Sequence, residues 1–181
     1  SVDTTMGLTP LEGVVMGTRC GDIDPAIIFH LAESKGMSLP EINQALNRKS
    51  GLLGLSGISN DLREIEEAME QGHERARISI EVFAYRVKKY IGAYHAVIGR
   101  LDAIIFTGGI GERSPICRAA ICSELDHLGI ELDTARNETV MSELAEIQAP
   151  DSEVKLLVVP ANEELMIARD THRLVGEHVC G

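Results

Sequence analysis

Apolar residues recur at helical spacing through the first hundred positions and bunch into short unbroken runs further on. Asp24-Pro25 reads as an N-cap with proline at the first helical position. Ile27, Ile28, Leu31 and Ala32 then mark one face of a helix that ends at Gly36. Ser38-Leu39-Pro40-Glu41 has capping-box spacing and opens a second helix, carrying Ile42 and Leu46 and stopping near Gly51. The Gly- and Ser-rich segment 51–61 predicts a loop, and Asp61 begins a helix with Leu62, Ile65, Ala68 and Met69 inward. The clearest helix follows Gly72, where Ile80, Phe83, Ala84, Val87, Tyr90, Ile91, Tyr94 and Ile98 recur at steps of three and four. That stripe reads as packing rather than as a cofactor site, and its spacing leaves open whether the partner is this chain or a second subunit.

Beyond it the pattern changes. Asp102 to Phe106 is a continuously apolar run, a buried strand, passing into a glycine turn at Thr107-Gly108-Gly109-Ile110-Gly111-Glu112 and a helix near Ser114-Pro115. A second such unit has a strand over 154–159, a turn at Pro160-Ala161-Asn162-Glu163, and a helix from Glu164 to Val175. Between the units, Ile130 to Leu132 suggests a further strand and Thr139 to Ile147 a helix. Strand-turn-helix units among several long helices predict an α/β fold rich in helix.

Composition narrows the class. A chain of 181 residues suits one medium domain or two small ones, and 44% apolar with 3% aromatic residues and no Trp requires an aliphatic core. That content excludes disorder. The apolar runs fall far short of the ~20 residues of a membrane helix and no apolar signal segment opens the chain, so a soluble, cytoplasmic protein is expected. With 17 Lys+Arg against 28 Asp+Glu, a net charge of -11 and no basic stripe, a nucleic-acid or anionic-membrane partner is disfavoured. A nucleotide is not, because a few backbone amides and Mg²⁺ suffice to hold phosphates. Cys20, Cys117, Cys122 and Cys180 form no CxxC pair and read as reduced thiols, and the six histidines show no metal spacing.

The candidate chemistry gathers at the strand ends, where open α/β sheets bind ligands. Gly108, Gly109 and Gly111 let a ligand approach the backbone closely, and the helix that follows offers unpaired N–H groups; the competing reading is a tight turn that packs helix on sheet. Arg19, between Gly17 and Gly21, suits a transferring phosphoryl group, or else forms an ion pair with Asp22 or Asp24. Asp61 and Arg63 fit both a helix cap and a binding loop. Glu163 and Glu164 suit a helix N-terminus and, at a strand end, water-mediated Mg²⁺ binding.

Taken together, these motifs are more specific than singly. Val2-Asp3-Thr4-Thr5-Met6-Gly7, Met16-Gly17-Thr18-Arg19-Cys20-Gly21-Asp22-Ile23-Asp24-Pro25, Ser59-Asn60-Asp61-Leu62-Arg63, Phe106 to Glu112 and Pro160-Ala161-Asn162-Glu163-Glu164 resemble, in order, the signature of the acetate kinase (acetokinase) family. The resemblance implies the actin-like ATPase fold, an α/β RNase H-like domain shared with sugar kinases, Hsp70 and actin, with long helices packed on a mixed sheet. It implies reversible transfer of the γ-phosphoryl of ATP to acetate or another short-chain carboxylate, such as propionate or butyrate, by a homodimer using Mg²⁺. Carried over residue by residue, Arg19 stabilises the transferring group, Asp61, Leu62 and Arg63 border the adenosine, and Gly108, Gly109, Ile110, Gly111 and Glu112 form the other nucleotide loop. Glu163 holds Mg²⁺. Arg113 stands where the family's glycine turn usually continues with Asn, and Ala161 where its last turn often has Thr. The family's N-terminal domain, with its catalytic Asp, transition-state His and phosphate loop, has no counterpart in these residues. Residues 1–181 are therefore expected to be the C-terminal nucleotide-binding and dimerisation domain of a two-domain kinase, or, in a different class, a non-catalytic dimerisation module.

Overall fold

The computed structural model describes residues 1–178, with side chains to 175. Residues before Ala26 are irregular and are stitched down by long-range bonds, such as Asp22 N–H to Gly13 O at 2.9 Å and Cys20 N–H to Leu46 O at 3.0 Å. Five helices follow: α1 (Ala26–Lys35), α2 (Leu39–Arg48), α3 (Gly51–Ser56), α4 (Leu62–Glu70) and α5 (Glu74–Ile98). Side chains cap three of these starts, whereas α1 begins one residue after Pro25 instead of with it, Asp24 accepting from Ala26 N–H. Glu41 accepts from Ser38 N–H at 2.8 Å, Asp61 from Arg63 N–H at 3.0 Å, and His73 Nδ1 from Ala76 N–H at 3.2 Å. His73 is thus a helix cap. Helix α1 buries nothing, and its Ile27 and Phe29 face solvent, so its apolar face covers the periphery rather than the core.

Segment 51–61 is not the continuous loop its glycines predict, because Gly51–Ser56 is helical. Leu52, 1% exposed, anchors it, and Arg75 donates to the carbonyls of Leu55 and Gly54 at 2.9 Å each, satisfying its C-terminal end. The glycine at 51 serves close approach, since a Cβ there would stand 2.1 Å from Met16 O.

The second half holds β1 (Ala103–Phe106), α6 (Gly108–Arg113), α7 (Pro115–Cys122), a 3-10 turn at Asp126–Leu128, α8 (Thr134–Thr139), β2 (Ala145–Glu146), β3 (Lys155–Val158) and α9 (Glu163–His178). The sheet order is β1-β3-β2, with β1 parallel and β2 antiparallel to β3, so the sheet is mixed. The glycine segment after β1 enters α6 at once, instead of forming a separate turn. The helix expected over 139–147 is absent: α8 ends at Thr139 and the chain extends into β2. Leu144 is 75% exposed whereas Ile147 is fully buried, and Ile147 N–H bonds Leu156 O at 2.8 Å; the edge of β3 needs a partner, and that outweighs a weak helical period. The strand expected at 130–132 is reduced to one bridge between Leu132 and Gln148.

The core runs from β1 and β3 to α4, α5 and α7 through Ile65, Ile80, Phe83, Phe106, Ile121, Leu156 and Val158. Among the described residues no helix is long and apolar enough to cross a membrane. Cys20, Cys117 and Cys122 are free thiols, and Cys180 lies outside the described residues. Burial pushes Cys117 up to about 11 and Cys122 to about 12, so neither is a thiolate at neutral pH. Iodoacetamide at pH 8 is expected to modify the half-buried Cys20 well before these two, as read by peptide mass spectrometry; equal labelling of all three in the folded protein would contradict the packing. The sign for stability follows. Their contribution is intact below the ordinary thiol value of 9.0 and is lost as pH rises toward about 11 and 12.

Candidate functional site

Because β1 and β3 run parallel, both end on the same side of the sheet. The last rung of their ladder is Val159 N–H to Phe106 O at 2.9 Å. From there β1 leads into α6 and β3 into the turn before α9. A cleft of about 380 Å³ opens between the α6 segment and the start of α4, walled by Asn60, Asp61, Leu62 and Arg63 on one side and by Gly109, Ile110 and Arg113 on the other. Gly17, Leu52, Glu66 and Ser114 complete it.

The glycines divide the work. Gly108 has φ of +70°, which only glycine adopts freely at the junction of strand and helix. Gly109 borders open space, with nothing within 4 Å of a would-be Cβ, so the cleft wall there is bare backbone. At Gly111 a Cβ would lie 3.0 Å from the Phe106 carbonyl carbon, so this glycine lets α6 fold back onto β1. The tight-turn packing is therefore seen at Gly111, and open backbone facing the cleft at Gly109.

On the opposite wall Asp61 takes two roles. One oxygen caps α4 and also accepts from Arg63 Nε at 3.1 Å, and the other accepts from Arg63 Nη2 at 2.6 Å. The guanidinium beside it pulls the Asp61 carboxyl down to about 2, leaving it ionised at all physiological pH, while Arg63 stays largely in solvent at the cleft mouth. Glu66 and Ser114 at the cleft floor were not singled out from sequence. Ser114 Oγ donates to Glu66 and accepts from Cys117 N–H at 2.9 Å, and burial raises the Glu66 carboxyl. Its spacing of i+4 from Leu62 places Glu66 on the same face of α4 and was the available signal.

Besides Gly108 and Gly111, which shape α6 without lining the cleft, three sequence-derived residues stand apart from these walls. Arg19 lines a neighbouring hollow with Thr9, Pro40 and Asn47, although Gly17 of the same loop reaches the cleft. It forms no ion pair with Asp22 or Asp24. Asp22 instead accepts from Gly13 N–H at 2.8 Å and Tyr90 OH at 2.7 Å, with Arg86 at 3.8 Å, and Asp24 accepts from Ala26 N–H at 2.9 Å. Glu112 turns inward, 8% exposed, and its Oε1 accepts from both Gly108 N–H and Ala161 N–H at 2.8 Å, so the first amide of α6 is already taken. Glu163 is exposed in the first turn of α9, behind Asn162, whose Oδ1 accepts from Leu165 N–H at 3.0 Å. No cluster of three His, Cys, Asp or Glu side chains is present among the described residues. A cation here would rest on one carboxylate, water and phosphate oxygens, which suits Mg²⁺ and not Zn²⁺.

Comparison with known proteins agrees in extent and geometry. Residues 1–169 match the model of the acetokinase family. The acetate kinase of Dictyoglomus thermophilum is 58% identical over 98% of this chain, which spans 44% of that relative. The crystal structure of Porphyromonas gingivalis acetate kinase superposes with a TM-score of 0.89 at 44% identity, covering 94% of this chain and 43% of that one. A propionate kinase from Francisella tularensis superposes with a TM-score of 0.85, also at 44% identity, over 92% of this chain and 42% of its own. The fold is that of these kinases, the actin-like ATPase type, and the chain spans less than half the length of the relatives it matches.

Proposed function

This chain belongs to the acetokinase family, and from that premise we propose that it supplies the nucleotide-binding half of an enzyme that moves the γ-phosphoryl of ATP to acetate, reversibly giving acetyl phosphate and ADP. One observation carries the reading. Residues 60–63 meet Gly109, Ile110 and Arg113, almost fifty positions on, across a single cleft at the strand ends. In this reading the adenosine lies between Asp61, Leu62, Arg63 and the backbone of Gly108 to Gly111, and Arg19 reaches the transferring group from the adjoining loop. Such catalysis is chiefly positioning and charge neutralisation, which an arginine and a metal supply together. Glu163 would hold Mg²⁺, which when bound neutralises phosphate charge.

The reading includes a cytoplasmic homodimer, supported by apolar residues that α9 leaves in solvent, Met166 and Ile167 among them, and testable by light scattering. Propionate is the alternative acceptor, supported by equal identity to the solved acetate and propionate kinases. Hydroxylamine trapping of the acyl phosphate, comparing both acids in the full-length enzyme, separates them.

The nucleotide site is tested by calorimetric titration of this chain with ADP, with and without Mg²⁺. Saturable binding is expected, and Gly109→Val should weaken it by about tenfold or more. The added side chain meets no protein atom near its Cβ, so it fills the cleft without disturbing the fold. Affinity unchanged by Gly109→Val would place the nucleotide elsewhere.

A further inference from the structure

We propose that Glu112 is a positioning residue, whose carboxylate ties the glycine segment after β1 to the turn after β3 and so sets where Glu163 stands relative to the cleft. The proposal rests on the nucleotide reading above and reassigns one residue within it.

The reason begins with where the sheet stops. In the parallel ladder the N–H groups of Lys155 and Val159 face β1, so the next rung would come from Ala161 N–H; instead Gly108, at φ of +70°, turns the first strand into α6 and the ladder ends. The next donors on the two strands, Gly108 N–H and Ala161 N–H, are then left with no backbone partner across the ladder and only water to bond. Glu112 lies four residues after Gly108, one helical turn on, and its carboxylate reaches back over the start of α6. A single oxygen, Oε1, then accepts from both amides at 2.8 Å each, replacing the missing rung with two charge-assisted bonds.

The latch is held from behind. The Glu112 carbonyl accepts from Arg118 Nη1 at 2.9 Å and from Ser142 N–H at 3.2 Å, so the residue cannot swing outward as a unit. Glu112 is also not among the residues that wall the cleft, although Gly109, Ile110 and Arg113 on either side are. Ala161 is two residues before Glu163, and the intervening Asn162 caps α9. Little free chain separates the latch from the carboxylate it places.

The test uses amide hydrogen exchange together with ADP calorimetry on this chain and on Glu112→Ala, Glu112→Asp and Glu112→Gln. Loss of the latch in the Ala variant is expected to speed exchange about tenfold or more in both segments, 107–109 and 160–164. Gln keeps an acceptor oxygen at the same reach but not its charge and should fall between wild type and Ala, whereas Asp, one methylene shorter, should follow Ala at smaller amplitude and serves if Ala fails to fold. Affinity for Mg-ADP should fall about tenfold in Ala while metal-free ADP changes by less than about twofold. Faster exchange confined to 107–109, or an equal loss of affinity with and without Mg²⁺, would overturn the proposal; the second result would make Glu112 a nucleotide contact. Should wild type bind no ADP, the nucleotide reading fails while the exchange data still decide the latch.

Discussion

Arg118→Met is expected to destabilise the fold by about 3–5 kcal/mol, measured as a lower urea midpoint at unchanged slope. Arg118 is completely buried, yet it faces no carboxylate. Nε donates to Asn137 Oδ1 at 2.7 Å, Nη1 to the carbonyls of Gly111 and Glu112 at 2.9 Å each, and Nη2 to the carbonyls of Asn137 at 2.8 Å and Val140 at 2.9 Å. Those carbonyls close α6 and α8, where the last helical oxygens have no partner within the helix. Burial pushes the guanidinium below its ordinary value, but arginine remains charged, and five acceptors replace its hydration. Methionine fills a similar volume and leaves four of the five acceptors unmet at once, the Glu112 carbonyl keeping Ser142 N–H. Each buried group left unpaired costs about 1–3 kcal/mol, partly relieved by relaxation or water, so the total falls short of the simple sum. Lysine should recover only a fraction, because a point donor cannot fan across two helix ends. A midpoint unchanged in Arg118→Met would show that these ends are satisfied in some other way.

The second large effect is kinetic. Arg19→Ala in the full-length enzyme is expected to lower kcat by about 10²–10³-fold, with nucleotide KM within about threefold and no change in Tm. The structure separates Arg19's side chain from its loop. The loop is held without it, by Met16 N–H to Arg19 O at 3.2 Å, Ser50 N–H to Thr18 O at 3.0 Å, Leu52 N–H to Met16 O at 2.9 Å and Thr18 Oγ1 to Asn47 O at 2.9 Å. The guanidinium's one hydrogen-bond partner among the described residues is Met16 Sδ at 3.7 Å, a weak acceptor. A half-buried cation with no structural duty can be removed without unfolding anything, so a fall in kcat reports chemistry. Arg19→Lys should rescue little, because the planar two-pronged donor is lost. Unchanged kcat, or a fall in Tm that accounts for the lost activity, would remove Arg19 from the reaction.

Much of this was legible along the chain. The period of α5, the caps at Ser38 and Asp61 and the apolar runs of β1 and β3 stand where the sequence reading expected them, within a residue or two. Gly109 of the strand-end glycines and the Asp61–Arg63 segment wall one cleft. Such features depend on neighbours within about one helical turn or one strand, so the local pattern carries them. The misreadings share a cause. Glycines at 51 and 54 looked like a loop because a sequence shows their freedom and not the Met16 and Lys49 carbonyls they make room for. Residues 139–147 carry a weak helical period, but β3 lay open to pair with them.

What the sequence determined by itself is most of the long helices, the two parallel strands and the family of motifs at the strand ends. Only the tertiary structure decided how the charges are spent. Asp22 turns to Tyr90, 68 residues away, rather than to Arg19, three residues away, and the Tyr90 hydroxyl, bonded to that carboxylate, is pushed up to about 12. Glu112 bridges 49 residues to Ala161, and Arg118 reaches 22 residues to Val140. Which partner a buried charge takes depends on desolvation and on which backbone groups the packed elements leave unpaired, and neither exists until the helices and strands have come together.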